Sequence, residues 1–160
     1  MLEMKVRGLT LDPLTNMALV ILRDLEGTKA LPIWVGVPEA NAIALELEQV
    51  PTPRPMTHDL VKNIFDGINA TVTKIVVNDL KDRTFFATIF LSIQGQELEI
   101  DSRPSDAIAV ALRVKAPIYV TEDVLERAGS VDTSTQQAAE DPDSLTDWLE
   151  NIKPEDFGSI

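Results

Sequence analysis

Two carboxylates and a guanidinium fall within six residues in Asp101-Ser102-Arg103-Pro104-Ser105-Asp106, where a strand pattern gives way to a helix opened by proline. The unpaired N–H groups at a helix N-terminus favour anions. Two acids beside one arginine at such a junction could hold a divalent ion while the guanidinium meets a phosphate. The same residues also suit a structural role, with Ser102 as cap, Asp106 complementing the helix dipole and Arg103 paired to either acid. His58, the sole histidine, follows Thr57 at the start of another helix pattern. It is either a general base or a solvent-facing first-turn residue. Asp59 reads as helix-stabilising. Arg54, between Pro53 and Pro55, presents its charge from a stiff loop, to a phosphate or simply to solvent.

These residues must be positioned by the surrounding elements, and the chain states its plan twice. Thr57–Ile64 returns as Thr121–Ala128 at an offset of 64, and Glu39–Leu45 answers Pro104–Val110 at an offset of 65. Two fused units are too few for an open solenoid, so the repeat predicts one closed domain with pseudo-twofold symmetry. Leu2–Val6, Met17–Leu22 and Leu31–Val35 read as strands; a helix opened by Pro38 follows, and then one capped by Thr57 and ended by Gly67. The second unit has strands at Ala70–Val77, Thr84–Ile93 and Gln96–Ile100, the Pro104 helix, a short strand at Pro117–Val120 and a helix from Thr121 to Gly129. The expected fold is α+β, with an internal duplication of two three-strand, two-helix units (about 1–68 and 69–129) whose sheet curls toward a barrel with helices packed outside. Trp34, Phe85, Phe86 and Phe90 are expected in the core.

Composition narrows the function classes. With 160 residues and no cysteine, the chain can bury a core without staples, and thiol catalysis and zinc–thiolate sites are excluded. The formal charge of -12 is uneven: residues 1–129 carry 13 basic against 18 acidic side chains, and residues 130–160 carry 1 against 8. That balance argues against a nucleic-acid-coating protein while leaving room for a local phosphate site. Residues 130–144 read as a disordered acidic linker. Within 145–160, Leu145, Trp148, Leu149 and Ile152 fall at helical spacing, giving a tail helix that would dock on its own domain, a second subunit or a partner. Met1–Lys5 alternates like a strand rather than a signal peptide, no membrane span is evident, and a cytoplasmic location is expected. Gly-rich phosphate loops, nucleophile elbows, zinc-protease helices and dinucleotide fingerprints are all missing.

Leu31-Pro32-Ile33-Trp34-Val35-Gly36, Glu39-Ala40-Asn41-Ala42-Ile43-Ala44, Pro55-Met56-Thr57-His58-Asp59-Leu60 and above all Asp101 to Ala109 together resemble the bifunctional nuclease (BFN) family over roughly residues 1–129. The resemblance implies a duplicated barrel-like fold, degradation of RNA and DNA by some members, and self-association. Matching positions are Glu39, His58, Asp59, Asp101, Arg103, Ser105 and Asp106. The leading expectation is a metal-assisted phosphodiesterase. In it Asp101 and Asp106, with Glu39, bind Mg²⁺ or Mn²⁺; Arg103 offsets phosphate charge with Arg54 and Ser105 contacting substrate; and His58 moves the proton. RNA or DNA would be substrate and a homodimer the expected assembly. The alternative is a non-enzymatic oligomeric binding or regulatory module whose polar junction is structural.

Overall fold

Alternating and continuous apolar runs produce two antiparallel triplets. Our computed structural model describes residues 1–129 and 131–132. β1 (Leu2–Asp12), β2 (Met17–Asp24) and β3 (Lys29–Gly36) precede α1 (Val37–Leu47) and α2 (Thr57–Gly67). β4 (Ala70–Lys81), β5 (Thr84–Ile93) and β6 (Gln96–Ser102) precede α3 (Pro104–Val114), β7 (Ile118–Val120), α4 (Glu122–Ala128) and a two-residue β8 (Val131–Asp132). The β4–β5 and β5–β6 hairpins turn through Asp82-Arg83 and Gln94-Gly95, residues with positive φ in each case, as the twist of two-residue hairpins requires.

The strands form one mixed sheet in the order β6-β5-β4-β7-β1-β2-β3-β8. β7 joins the triplets, running antiparallel to β1 and parallel to β4. The expected closure toward a barrel is not found, because β6 and β8 stand at opposite edges of an open sheet. β6 is exposed along nearly its whole length and carries Glu97, Glu99 and Asp101, charges that protect a free edge from further pairing. Each triplet's longest strand carries bulges, at Val6/Gly8 in β1 and at Val72/Lys74 and Val77/Asp79 in β4, which sharpen the twist without closing the sheet.

α3 lies at the centre of the molecule. Ala107 to Ala111 are buried in succession, the pattern of a helix covered on all sides, and it packs on α1, α2, β4 and β5. Small alanines there let neighbours approach closely. The main core gathers Val20, Leu22, Ile33, Ile43, Ile75 and Ile108 among others. The opposite faces of β2 and β3 contribute a smaller buried cluster of Leu19, Ile21, Ala30 and Trp34. Phe85 is core as expected, whereas Phe86 and Phe90 alternate to the other face and lie beneath Lys81 and Lys74.

Two expected caps are corrected. Met56, not Thr57, is the N-cap of α2, and its backbone N–H donates to Asp59 Oδ2 at 2.9 Å. Arg103, not Ser102, caps α3, and the Ser102 hydroxyl donates instead to the Arg103 carbonyl. The Thr121 cap and the left-handed Gly129 of α4 stand as expected. The expected tail helix lies outside the described residues, as does most of the expected linker, although Val131-Asp132 from its start pairs with β3. Among the described residues, no helix is long and apolar enough to cross a membrane.

Candidate functional site

Three helices begin around one groove of about 550 Å³: α1 at Pro38 and Glu39, α2 at Thr57 and His58, α3 at Arg103 and Asp106. Their first-turn backbone N–H groups supply three partial positive charges to one place, and each helix sets an acid in that turn, Glu39, Asp59 and Asp106. The proline at the start of α1 and α3 costs nothing there, since its missing N–H would have no intrahelical partner. Val61, Phe65, Ile89 and Ile100 make the groove's apolar walls.

Asp106 is the hub. Its Oδ2 accepts from Arg103 Nε at 2.8 Å, and its Oδ1 lies 2.8 Å from His58 Nε2. Arg103 Nη2 donates onward to Glu39 Oε1 at 2.9 Å. Burial pushes the Asp106 carboxyl up, but the bonds from Arg103 and His58 outweigh it and hold it below the usual carboxylate range. Asp106, and then Glu39, hold the Arg103 guanidinium more firmly protonated than usual. An ionised Asp106 can only accept from His58, so Nε2 carries a hydrogen, and in the neutral form of the ring Nδ1 is then the basic atom. His58 is 8 % exposed, so the solvent-facing reading of it is overturned. Its Nδ1 is not among the buried polar atoms that lack a partner.

Glu39, His58, Arg103 and Asp106 are thus brought together, and other expected site residues are not. Ser105 is 1 % exposed, does not line the groove and leaves its hydroxyl unpartnered in the interior, so it cannot contact substrate there. Arg54 is exposed on the loop between α1 and α2, and it too is not a lining residue. Asp101 does line the groove, from the end of β6 where it pairs with Thr88, but it makes no hydrogen bond or ion pair with Glu39, His58, Arg103 or Asp106. Glu39, Asp101 and Asp106, the expected metal set, line one groove without converging on a point. Both Asp106 oxygens are engaged, and the Arg103 guanidinium sits between Glu39 and Asp106, where a divalent ion would bridge them. Among the described residues, no three His, Cys, Asp or Glu side chains converge in a way that could hold a metal ion. As arranged, the residues present do not fit the metal.

Sequence reasoning missed Arg113. This α3 residue is buried and donates from Nε to Asp59 Oδ1 at 2.7 Å, from Nη1 to the Ala109 carbonyl and from Nη2 to the Ala42 carbonyl. Asp59 is held below the usual carboxylate range first by the Met56 N–H and, against the opposing effect of burial, by Arg113. The available signal was a cation inside the otherwise apolar run Ala107 to Val114.

Residues 20–133 match the bifunctional nuclease domain. The chain belongs to the bifunctional nuclease domain family. An uncharacterized protein of Mycobacterium tuberculosis (strain ATCC 25618 / H37Rv) is 36 % identical over 162 residues, covering 97 % of both chains. Bifunctional nuclease 1 of Arabidopsis thaliana is 33 % identical over 107 residues, 64 % of this chain and 33 % of the plant protein. Bifunctional nuclease 2 of Oryza sativa subsp. japonica is 31 % identical over 105 residues, 63 % and 32 % of the two chains. This bifunctional nuclease domain protein therefore matches about a third of the length of those plant relatives. His58, Arg103 and Asp106 all lie within the matched domain.

Proposed function

We propose that the groove hydrolyses phosphodiester bonds in RNA and DNA, with His58 as the proton-transfer group. The observation that carries this reading is the Asp106 carboxylate bridging His58 Nε2 and Arg103 Nε at 2.8 Å each, beside three helix N-termini. Family membership and the similarity to plant bifunctional nucleases support nuclease-related chemistry. A phosphate drawn to the helix N-termini and Arg103 would sit beside His58. Nδ1 of neutral His58 would take a proton from the water or 2′-hydroxyl as its oxygen bonds to phosphorus, Asp106 would steady the resulting imidazolium, and that proton would pass to the leaving ester oxygen as its P–O bond breaks. Arg103 would offset the charge that grows on the phosphoryl oxygens. The apolar walls would take an unstacked base, which favours single strands over rigid duplex.

The test is degradation of labelled single-stranded RNA and DNA by purified wild type and His58→Asn, in Mg²⁺, Mn²⁺ or EDTA. Activity in wild type that is lost in the folded variant supports the reading, and activity equal in both removes it. Persistence in EDTA would agree with the engaged carboxylates.

One observation favours a second reading. Glu39, Arg103, Asp106 and His58 form a continuous chain of bonds linking α1, α2 and α3, as an interhelix lock in a binding module would. In that case substitution in the chain lowers thermal stability, and wild type shows no turnover.

A further inference from the structure

We propose that Arg113 is a positioning residue for His58, acting through Asp59; its effect on turnover rests on the proposed phosphodiesterase reading, but its effect on His58 geometry does not. Arg113 stands seven residues after Asp106 on α3, two turns along the same face. Asp59 follows His58 directly on α2. α3 therefore grips the first turn of α2 at two successive residues, Asp106 on His58 and Arg113 on Asp59. The second oxygen of Asp59 is spent on the Met56 N–H, so the same carboxylate fixes where α2 begins.

Arg113 is 7 % exposed, and its two terminal nitrogens each donate to a helix carbonyl, Ala109 of its own helix and Ala42 of α1. Its planar fork ties three helices in one orientation. Burying a charge this deeply is a poor way to gain stability, since an apolar side chain of like volume often does as well. What an apolar side chain would not supply is a directional bond to Asp59. Rotation or sliding of α2 by a fraction of a turn would carry His58 Nε2 off Asp106 Oδ1. Arg113 does not line the groove, so it works through α2 and not on substrate.

The experiment compares wild type, Asp59→Asn and Arg113→Met in the full chain. Because His58 is the sole histidine, ¹⁵N NMR of its ring reports tautomer and hydrogen bonding without assignment ambiguity. In both folded variants we expect the Nε2–H signature of the Asp106 bond to be lost. Single-strand cleavage should show kcat down about a hundredfold, the scale of an ångström misplacement, with KM within about twofold. A folded variant that keeps the wild-type imidazole signature and kcat overturns the proposal. If Arg113→Met fails to fold, Asp59→Asn decides, since it keeps the side-chain shape and the buried guanidinium's other two bonds. If wild type cleaves nothing, the phosphodiesterase reading fails while the imidazole signature still decides whether Arg113 positions His58.

Discussion

Asp106→Asn changes one atom and should invert the chemistry of His58. The aspartate accepts at both oxygens, from Arg103 Nε and from His58 Nε2–H. An asparagine has one accepting oxygen and one donating NH₂. Arg103 cannot stop donating, so the amide oxygen turns to it and the NH₂ faces His58. Nε2 must then accept, the proton moves to Nδ1, and the atom we assign as base is no longer basic. Loss of a positioned general base costs roughly 10²- to 10⁴-fold in rate. Stability should change far less. The aspartate side chain is 32 % exposed, and weakening two charge-assisted bonds there amounts to about 1–2 kcal/mol. Single-turnover cleavage of a labelled single strand, run beside urea denaturation, separates the two effects. A folded Asp106→Asn protein with wild-type kcat would falsify the tautomer argument. Loss of activity in step with loss of fold would assign Asp106 to structure.

Arg103→Ala leaves Glu39 and Asp106 facing each other without their shared cation, and we expect a fall of about 10²- to 10³-fold in kcat/KM, partly restored in Arg103→Lys; steady-state kinetics on one oligonucleotide checks it. Gly36→Ala would place a methyl group 2.5 Å from Glu39 Oε2, so the carboxylate must swing aside and release Arg103. Because the flexible end of a side chain gives way, the melting temperature should move by only a degree or two while turnover falls; a variant with unchanged kinetics would show that the Glu39–Arg103 bond is dispensable. Asp79 is held down to about 2, first by Lys81 and then by Arg127, below its ordinary 3.8. Its stabilisation is present above the ordinary value and is lost as pH falls toward 2. Asp79→Asn should therefore flatten the acid limb of a stability–pH curve between about pH 4 and pH 2.

Local pattern made much of this molecule legible. Strand alternation, proline-opened helices and paired turn residues each depend on neighbours within a few positions, and Arg103–Asp106 is an i,i+3 pair visible on the helix itself. Bonds that cross the fold were not visible: Arg103–Glu39 spans 64 residues, Arg113–Asp59 spans 54 and His58–Asp106 spans 48. Asp101 misled because a strand end and a helix start set two carboxylates close in sequence, and both reach the groove, without bringing them to one point. Ser105 misled likewise, since helical rotation carries it into the interior one residue before Asp106 reaches the groove. Barrel closure depends on what the edge strands meet, and no periodicity within β6 reports that its outer side stays unpaired.

The three residues of β7 have a consequence for biogenesis. β1 leaves the ribosome before the rest of the sheet, yet its outer neighbour Ile118–Val120 is translated near the end of the domain. At about 5–20 residues per second, β1 waits several seconds with Leu2, Glu3 and Met4 unpaired, and β4 waits with Ile75, Val76 and Val77. Nascent chains stalled before residue 118 should thus present two separate antiparallel ribbons with sticky inner edges, the form in which a chaperone would meet them.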